Sequence, residues 1–465
     1  MNTAGATVGS RLADIVGPQH VITDPAHLAP FTVGDKRPAV AVRPQAAPEI
    51  AEIVKFATNE QLAVIATGAR TKLEIGLPPR QYDIALDMTR LDRVVVYDPG
   101  DLTLSVEAGT PLHKLGGILA EHRQFLPLGV PYQAQTTIGG TIASGVDSPL
   151  RQLYGTARDY LLGMEFVTGE GVVSKSGGRV VKNVTGYDIH KLMIGALGTL
   201  GVITRINFKT FPMPAASRAF VASFQTVERA CGMRNRVSQS PLAPMTIELF
   251  SPGVADLFSS EAAVRIEPNP MPEHLFPRAR WSFTAGFAGN PNTLNRYEND
   301  FRKIAEECGA VDATVLTGPQ IAAAFARKRE FVPIALSSSP AACIIKMSAL
   351  PTRMAELLTA ASRAAEANHL PWVAMARGVG VIYFAILPAA RNEEMKRQSA
   401  HASDQILAAC AALGGQASIP SCPAEWKSAL KVWGLERADF AEMEKLKSVF
   451  DPRGVLSPGR FVGGL

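Results

Sequence analysis

Cysteine is scarce in this chain, and none of it has the spacing of a metal site. The 465 residues include only five cysteines. They are Cys231, Cys308, Cys343, Cys410 and Cys422, so the first 230 residues have none. There is no CxxC pair and no Cys/His cluster, the patterns typical of zinc and iron–sulfur sites. We therefore predict no metal centre, and reduced, buried thiols of the kind found in cytoplasmic proteins.

The sequence also lacks a long apolar run and a strongly basic stripe. No window has the eighteen or so consecutive apolar residues of a membrane-spanning helix, and the N-terminus is unlike a secretory signal. The net charge is only +5, and the tightest basic cluster is RKRE at 327–330. These absences argue against nucleic acid as a partner. They predict a cytoplasmic protein that reaches the inner membrane, if at all, through partner subunits.

The common nucleotide-binding and hydrolase motifs are missing as well. The nearest approach to GxGxxG is Gly169–Ser174, which lacks the last glycine and falls in a predicted hairpin instead of before a helix. GxxxxGK[ST], HExxH and GxSxG do not occur. A bound dinucleotide would therefore not occupy a Rossmann pocket.

Three glycine-bearing segments recur along the first half of the chain. They are ATGARTK at 66–72, QTTIGGTIASG at 135–145 and GALGTLG at 195–201, the last followed by an alternating strand at 202–208. Each offers backbone N–H groups and small side chains, which suit a close approach to a phosphate group. Any one of them could be a simple turn. Their recurrence favours a shared ligand-binding role.

The composition of the sequence and the pattern of its predicted elements change near residue 215. Before it, short strands alternate with brief helices, and a hairpin is predicted to turn at Gly169–Gly171. After it, glycine thins and longer Ala-rich helices alternate with isolated strands, a pattern that predicts an α+β layer. We predict a leader at 1–36, a cofactor domain at 37–214, a cap or substrate domain at 215–423, and a C-terminal segment at 424–465 that returns to the cofactor domain.

In their order along the chain, these motifs resemble the FAD-binding flavoproteins of the vanillyl-alcohol-oxidase/p-cresol-methylhydroxylase (PCMH) type. The tail FDPRGVLSPGR at 450–460 completes the likeness, with Ser457 where the family usually has Asn. The resemblance implies an α+β fold, with a two-lobed PCMH-type FAD-binding domain and an α+β, ferredoxin-like cap. It also implies non-covalent FAD, because Arg70 and Thr71 stand where tethering relatives often place His.

The resemblance assigns cofactor contacts to residues within these motifs. The expected FAD-binding residues are Thr67, Gly68, Ala69, Arg70, Thr71, Lys72, Pro131, Thr136, Thr137, Gly139, Gly140, Thr141, Ser144, Gly145, Gly201, Val202, Ile203 and Arg460.

Within this family, the phrases TKLEIG, YGTARDYLLG, VVKNVTGYD and GALGTLGVIT resemble the FAD-binding E subunit of bacterial glycolate oxidase. The resemblance implies the FAD-binding subunit of a glycolate- or D-lactate-type 2-hydroxyacid oxidoreductase complex, with a second flavin subunit and an iron–sulfur subunit as partners. The alternative is a stand-alone FAD-dependent D-2-hydroxyacid dehydrogenase. A sugar-lactone or alditol oxidase is disfavoured, because the HWxK-type signature is absent.

The resemblance further implies a cation that holds the carboxylate of a small 2-hydroxy acid, and the candidates in the cap are Arg327, Arg329 and Lys346. Each could instead be an ordinary solvated side chain. Tyr187 is the candidate proton-transfer group, while His190 is more simply explained as a surface or capping residue. Related dehydrogenases carry HxGDGNxH, whose histidines hold a metal, but this chain reads ARGVGVIY at 376–383. We therefore expect no metal ligands there.

Overall fold

The computed structural model describes residues 3–179, 186–271 and 275–465. Its strands form where apolar residues alternate along the sequence, and its amphipathic helices form where apolar residues recur every three or four positions. The predicted α+β class is confirmed, with two small lobes followed by a large sheet layer. No helix in the described ranges is long and apolar enough to cross a membrane.

The first lobe is a four-stranded sheet with helices against it. The strand order is β1-β2-β4-β3, with β2, β4 and β3 parallel and β1 antiparallel to β2. Ile50, Ile53, Val54 and Ala57 form the buried face of its main helix, as their spacing predicts. The elements are α1 (Thr3–Val16), β1 (Val21–Ile22), α2 (Pro25–Leu28), β2 (Val40–Val42), α3 (Ala47–Asn59), β3 (Val64–Thr67) and β4 (Ile84–Asp87).

The described part of the predicted leader, residues 3–36, is integrated into this lobe. Its strand β1 pairs with β2, and Leu12 of α1 packs in the same core as Val40 and Ile84. The domain boundaries themselves stay predictions.

The second lobe is an antiparallel sheet of five strands in the order β5-β6-β10-β8-β9, with a small β7–β11 ribbon beside it. The β8–β9 hairpin turns at the predicted glycines. Its elements are β5 (Val94–Asp98), β6 (Thr103–Glu107), α4 (Leu112–Glu121), β7 (Gln124–Phe125), α5 (Ile138–Ser144), α6 (Arg151–Tyr154), α7 (Ala157–Tyr160), β8 (Leu161–Val167), β9 (Val173–Gly177), β10 (Val202–Lys209) and β11 (Phe211–Pro212).

The cap is built on an eight-stranded antiparallel sheet in the order β15-β12-β14-β13-β17-β18-β16-β19. Its elements are β12 (Ser217–Phe224), α8 (Val227–Gln239), β13 (Thr246–Phe250), α9 (Val254–Ser259), α10 (Glu261–Ile266), β14 (Trp281–Ala288), α11 (Pro291–Glu307), β15 (Asp312–Leu316), α12 (Pro319–Arg329), α13 (Phe331–Ser338), β16 (Cys343–Ser348), α14 (Met354–Ala367), β17 (Trp372–Arg377), β18 (Val381–Ile386), α15 (Glu393–Ala412) and β19 (Gln416–Ser421). The last helix, α16 (Phe440–Phe450), belongs to the C-terminal segment, and its Phe450 packs against the core of the second lobe.

The two faces of the cap sheet have different environments. One face packs on α8, α11, α14 and α15 through the largest apolar core of the protein. The other packs on α9, α10, α12 and α13, and part of it meets the second lobe through α6. Side chains alternate between the faces along each strand. Lys346 therefore lies on the second face, as the alternation of β16 predicts.

The chain end returns to the first lobe. The backbone N–H of Val64 donates to the Val455 carbonyl over 2.8 Å, and that of Ser457 donates to the Val64 carbonyl over 2.9 Å. Asp451, 2% exposed, accepts hydrogen bonds from the backbone N–H groups of Val455 and Leu456. Ser457 has φ of +46°. Asn tolerates this left-handed region better than most residues, which gives a physical reason for the family's usual Asn there.

Candidate functional site

The three glycine-bearing segments meet in one cleft at the junction of the two small lobes. The cleft holds about 750 Å³ of empty space, part of it open to solvent. All but four of the residues predicted to bind FAD line it. The lining predicted residues are Thr67, Gly68, Ala69, Arg70, Thr71, Lys72, Thr136, Thr137, Gly139, Gly140, Ser144, Gly201, Ile203 and Arg460.

The four remaining predicted residues lie behind the lining. Thr141 is buried and donates its hydroxyl to the Thr137 carbonyl over 2.9 Å. Val202 packs in the core of the first lobe. Gly145, with φ of +59°, ends α5 in the left-handed region. The Pro131 carbonyl lies 3.5 Å from Lys72 Nζ.

Two glycines make the cleft narrow enough to grip a ligand. A Cβ added at Gly68 would lie 2.1 Å from Thr137 Oγ1, and one at Gly139 would lie 2.7 Å from Ala108 Cβ. Only glycine allows the loop after β3, the start of α5 and the end of β6 to approach so closely. This packing draws the first two segments into one wall.

Cationic side chains border the same wall. Lys72 Nζ donates to Thr136 Oγ1 over 2.6 Å, and burial lowers the pKa of Lys72 to about 8, with Glu330 opposing that shift. Arg70 has φ of +62° and its guanidinium lies 4.6 Å from the ring centre of Phe31. A non-glycine residue in this region stores strain, which is common at binding sites.

Arg460 carries the C-terminal tail into the cleft. It is 3% exposed, and its Nη2 donates to the carbonyls of Leu73 and Ile75, the latter over 2.6 Å. Burial lowers the pKa of Arg460 to about 10. The predicted return of the tail thus places a cation beside the loop after β3.

The cleft also holds buried polar atoms without hydrogen-bond partners. Thr67 Oγ1 and Arg460 Nε have no hydrogen-bond partner among the described residues, and Arg70 Nη1 has only an ion-pair contact with Asp87 Oδ2, at 3.6 Å. Buried polar groups are rarely left unsatisfied, so these atoms indicate a ligand with acceptor oxygens. Together with the glycine cradle, they fit the diphosphate and hydroxyl groups of FAD.

Several apolar residues of the cleft were not predicted from the sequence. Leu73, Met88, Ala108, Ala143 and Leu197 line it. Apolar side chains that line a cofactor site have no sequence motif that distinguishes them from apolar side chains of a hydrophobic core. The position of Met88 and Ala108 just past the ends of β4 and β6 was the only signal available.

A second groove lies on the far side of the segment that carries the third glycine cluster. It holds about 1570 Å³ of empty space, much of it open to solvent, and is lined by Gly195, Lys346, Ser418, Trp433 and Arg437 among others. Leu197 and Gly198 of the same segment line the first cleft. Residues 195–198 therefore border both the groove that Lys346 lines and the cofactor cleft.

The two arginine candidates in the cap are occupied by protein groups. Arg327 is 3% exposed and donates to the backbone carbonyls of Phe258, Glu267 and Asn269. Arg329 donates to Gln133 Oε1 over 2.7 Å and to Glu330 Oε1 over 3.0 Å. These contacts give both side chains structural roles, and this geometry counts against the prediction that they bind a carboxylate.

Tyr187 and His190 are not where their predicted roles place them. The Tyr187 side chain is 90% exposed and lines neither the cleft nor the groove. That exposure counts against a role in proton transfer inside the cleft. His190 is 1% exposed, with Nδ1 3.0 Å from Ser176 Oγ, so it is a buried residue and not a surface one. Residues 180–185 of the VVKNVTGYD phrase lie outside the described residues.

A buried charge network that no sequence motif indicates lies between the cap and the second lobe. Arg377 Nη1 lies 2.9 Å from Glu248 Oε1, and Arg377 Nε lies 2.8 Å from Asp147 Oδ2. Lys328 Nζ lies 2.7 Å from Glu248 Oε2, and Arg151 Nη1 lies 2.9 Å from Asp147 Oδ1. Burial opposes the charge on Arg377, but the two carboxylates outweigh it, so its pKa is raised.

Residues 376–383, which stand where related dehydrogenases have HxGDGNxH, form the tight β17–β18 hairpin. Gly380 has φ of +90°, and a Cβ there would lie 2.1 Å from the Ala349 carbonyl oxygen. In the described residues, no group of three His, Cys, Asp or Glu side chains is placed to hold a metal ion. The glycines of this segment thus serve the turn.

Two family models together match about four fifths of the chain. A family model for an FAD binding domain matches residues 38–177. A second model, for the C-terminal domain of FAD linked oxidases, matches residues 213–419 and 431–461. The first match spans the cleft loops, except those at 195–201 and 460. The second spans the cap and the tail.

Named relatives match this chain at low sequence identity over most of its length, or at higher identity over a shorter segment. The chain is 26% identical over 437 residues to a D-lactate dehydrogenase of Anaerostipes hadrus, covering 92% of this chain and 90% of that protein. It is 22% identical over 428 residues to the glycolate oxidase subunit GlcD of Bacillus subtilis, covering 91% and 88%. With the glycolate oxidase subunit GlcE of Escherichia coli it is 37% identical over 167 residues, covering 36% and 47%.

Solved structures support the fold. The structure of p-cresol methylhydroxylase superimposes with a TM-score of 0.78 at 16% identity, covering 99% of this chain and 97% of that one. An alkyldihydroxyacetonephosphate synthase gives 0.73 at 18% identity, covering 98% and 86%. The predicted PCMH-type fold is therefore confirmed.

Proposed function

The chain belongs to the FAD linked oxidases, a family of FAD-dependent oxidoreductases, and on that basis we propose that it oxidises a small 2-hydroxy acid to the 2-oxo acid. FAD, its cofactor, supplies the acceptor for the hydride that leaves the substrate carbon. In this chain the cleft of the two small lobes would hold FAD. The glycine cradle, Lys72, Arg70 and Arg460 would bind its anionic part.

The observation that carries the proposal is the placement of Lys346. Its side chain is half-buried on the cap sheet face that borders the second groove. Among the described residues, no carboxylate lies within ion-pair distance of its ammonium group, whereas Arg377 and Lys328 on the same face are both paired. A half-buried cation without a protein partner suits an anionic ligand, and the carboxylate of a hydroxy acid supplies that charge.

The groove also gives the substrate a position near the cofactor cleft. Gly195 lines the groove with Lys346, while Leu197 and Gly198, a few residues along the chain, line the cleft. A carboxylate held by Lys346 would fix the orientation of the neighbouring C–H and O–H bonds. Fixed orientation is a large part of what an enzyme contributes to such a reaction.

We further propose that the chain works as a subunit of a glycolate- or D-lactate-type complex. The likeness to GlcE over 167 residues supports this, and so does the likeness to GlcD. The expected partners are a second flavin subunit and an iron–sulfur subunit. The full-length likeness to D-lactate dehydrogenases favours the second candidate, a stand-alone FAD-dependent 2-hydroxyacid dehydrogenase.

Anaerobic titration of the purified, FAD-loaded chain with glycolate and D-lactate tests the proposal. Bleaching of the flavin by either acid is the result expected of a stand-alone enzyme. An unbleached flavin that becomes reducible after partner subunits are added supports the complex. A flavin that neither acid reduces in either setting contradicts the proposed substrate class.

A matched pair of lysine variants tests the anchor. Lys346→Met removes the ammonium and should abolish reduction at substrate concentrations that saturate the wild type. Lys303→Met changes an exposed lysine of α11, on the opposite side of the cap sheet, and should behave as wild type. Equal reduction by both variants would remove Lys346 from the substrate site.

A further inference from the structure

Tyr383 is the direct cross-strand neighbour of Lys346. In the β16–β18 pairing the two residues face each other, so their side chains share one face of the sheet. Lys346 Nζ lies 6.0 Å from the centre of the Tyr383 ring, and the Arg377 guanidinium carbon lies 5.7 Å from it. The ring is therefore fixed between two cations.

The hydroxyl of Tyr383 is free to bind a ligand. The residue is 7% exposed, and within the described ranges its hydroxyl has no hydrogen-bond partner. The hydroxyl oxygen is also absent from the fully buried, unsatisfied polar atoms, so it is not completely enclosed by the protein. Burial raises the pKa of the Tyr383 phenol, with Lys346 first among the charges that oppose the rise. The phenol is thus protonated at neutral pH and can donate a hydrogen bond.

The other charged groups on this face are already engaged. Arg377 is shared between Asp147 and Glu248, and Lys328 is paired with Glu248 and donates to Thr284 Oγ1 over 3.1 Å. Of these ionisable groups, Lys346 and Tyr383 are therefore the two without a hydrogen-bond or ion-pair partner among the described residues. Ser348 and Ser418, which line the groove with Lys346, add hydroxyl donors beside them.

We propose that Tyr383 is a second anchor for the substrate carboxylate, donating its phenol hydrogen to a carboxylate oxygen while Lys346 neutralises the charge. This inference rests on the proposed function for the identity of the acid, but not for the existence of a carboxylate site. Two donors fix the plane of the carboxylate, whereas a lysine alone acts as a point charge. Tyr383 would therefore contribute to selectivity for acids as well as to affinity.

The test uses oxalate, which carries carboxylates but has no C–H bond to oxidise. Binding to the FAD-loaded protein would be followed by the change in the flavin spectrum and, independently, by calorimetry. Tyr383→Phe keeps the ring and removes only the hydroxyl. Tyr154→Phe is the control, because Tyr154 is a half-buried tyrosine whose hydroxyl contacts only Met245 Sδ, at 3.9 Å.

We expect Tyr383→Phe to weaken oxalate binding by about ten-fold, as for a hydrogen bond to a charged group. Tyr154→Phe should bind as wild type, and both variants should retain FAD. The KM for a reducing hydroxy acid should rise in Tyr383→Phe more than kcat falls. Wild-type affinity for oxalate in Tyr383→Phe would overturn the role of Tyr383, even if Lys346→Met no longer binds.

The outcomes separate this inference from the proposed function. If hydroxy acids reduce the flavin equally well in wild type and Tyr383→Phe, the function stands and the second anchor is wrong. If no hydroxy acid reduces the flavin but oxalate binding depends on Tyr383, the carboxylate site stands and the proposed reaction is wrong. If wild type does not bind oxalate, the carboxylate site itself is overturned.

Discussion

Glu248 offers the sharpest test of the buried charge network that lies between the cap and the second lobe. It is fully buried, with one carboxylate oxygen 2.9 Å from Arg377 Nη1 and the other 2.7 Å from Lys328 Nζ. Glu248→Gln keeps the shape of the side chain but places an amide N–H₂ against one of the two cations. Neither cation can accept a hydrogen bond, so one contact becomes repulsive.

The size of the effect follows from the charge count. The network contains three cations, Arg151, Arg377 and Lys328, and two carboxylates, Asp147 and Glu248. Removing Glu248 leaves the network with an excess of two positive charges, while Arg377 and Lys328 stay buried and Asp147 is the single remaining carboxylate. Breaking a buried pair by removing one partner typically costs about 3–5 kcal/mol, and we expect Glu248→Gln to lower the free energy of unfolding by that amount.

The assay is urea unfolding of the FAD-loaded protein, followed by far-UV circular dichroism, with the slopes compared to check that the transitions are alike. Glu298→Gln is the control, because Glu298 also lies between two arginines, Arg218 at 2.8 Å and Arg302 at 3.0 Å. Its side chain is 24% exposed. A partly exposed pair of this kind is worth about 1 kcal/mol or less.

Two further variants test whether the unpaired charge causes the loss of stability. Arg377→Met leaves two intact pairs, Arg151–Asp147 and Lys328–Glu248, and should cost less than Glu248→Gln. Lys328→Met added to Glu248→Gln removes the stranded cation and should recover part of the lost stability. The reasoning is refuted if the Glu248 and Glu298 variants lose equal stability, or if Arg377→Met is the most damaging of the set.

Two other predictions concern the cofactor cleft. Gly139→Ala should lower the amount of FAD that co-purifies, because its Cβ would lie 2.7 Å from Ala108 Cβ, whereas Gly117→Ala on α4, with no atom within 4 Å of the new Cβ, should keep full FAD. Equal flavin content in both would contradict the cradle. Burial lowers the pKa of Lys72 to about 8, so its ammonium is lost as the pH rises through that value, and FAD affinity should fall from pH 7 to 9. Lys72→Met should bind FAD more weakly and without this pH dependence in equilibrium titrations; an unchanged pH profile would exclude Lys72 as its source.

The cofactor loops could be read from the sequence because backbone geometry constrains them directly. Gly68 and Gly139 sit where any Cβ would clash, and such positions leave a local pattern of glycine and small polar residues. The glycines at 169–171 likewise predicted the turn of the β8–β9 hairpin, and the spacing of apolar residues in α3 matches its buried face. These features depend on residues within a few positions of one another.

The substrate side depended on contacts between residues that are far apart in the sequence. Arg327 and Lys346 had equal standing as candidates, and only the packing showed that Arg327 binds three backbone carbonyls while Lys346 borders an open groove. The same is true of Tyr383, whose importance comes from its cross-strand register with Lys346. Local sequence therefore determined the class of fold and the cofactor wall. Which cations are available to a substrate was decided by tertiary packing, because pairing and burial join residues that no motif connects.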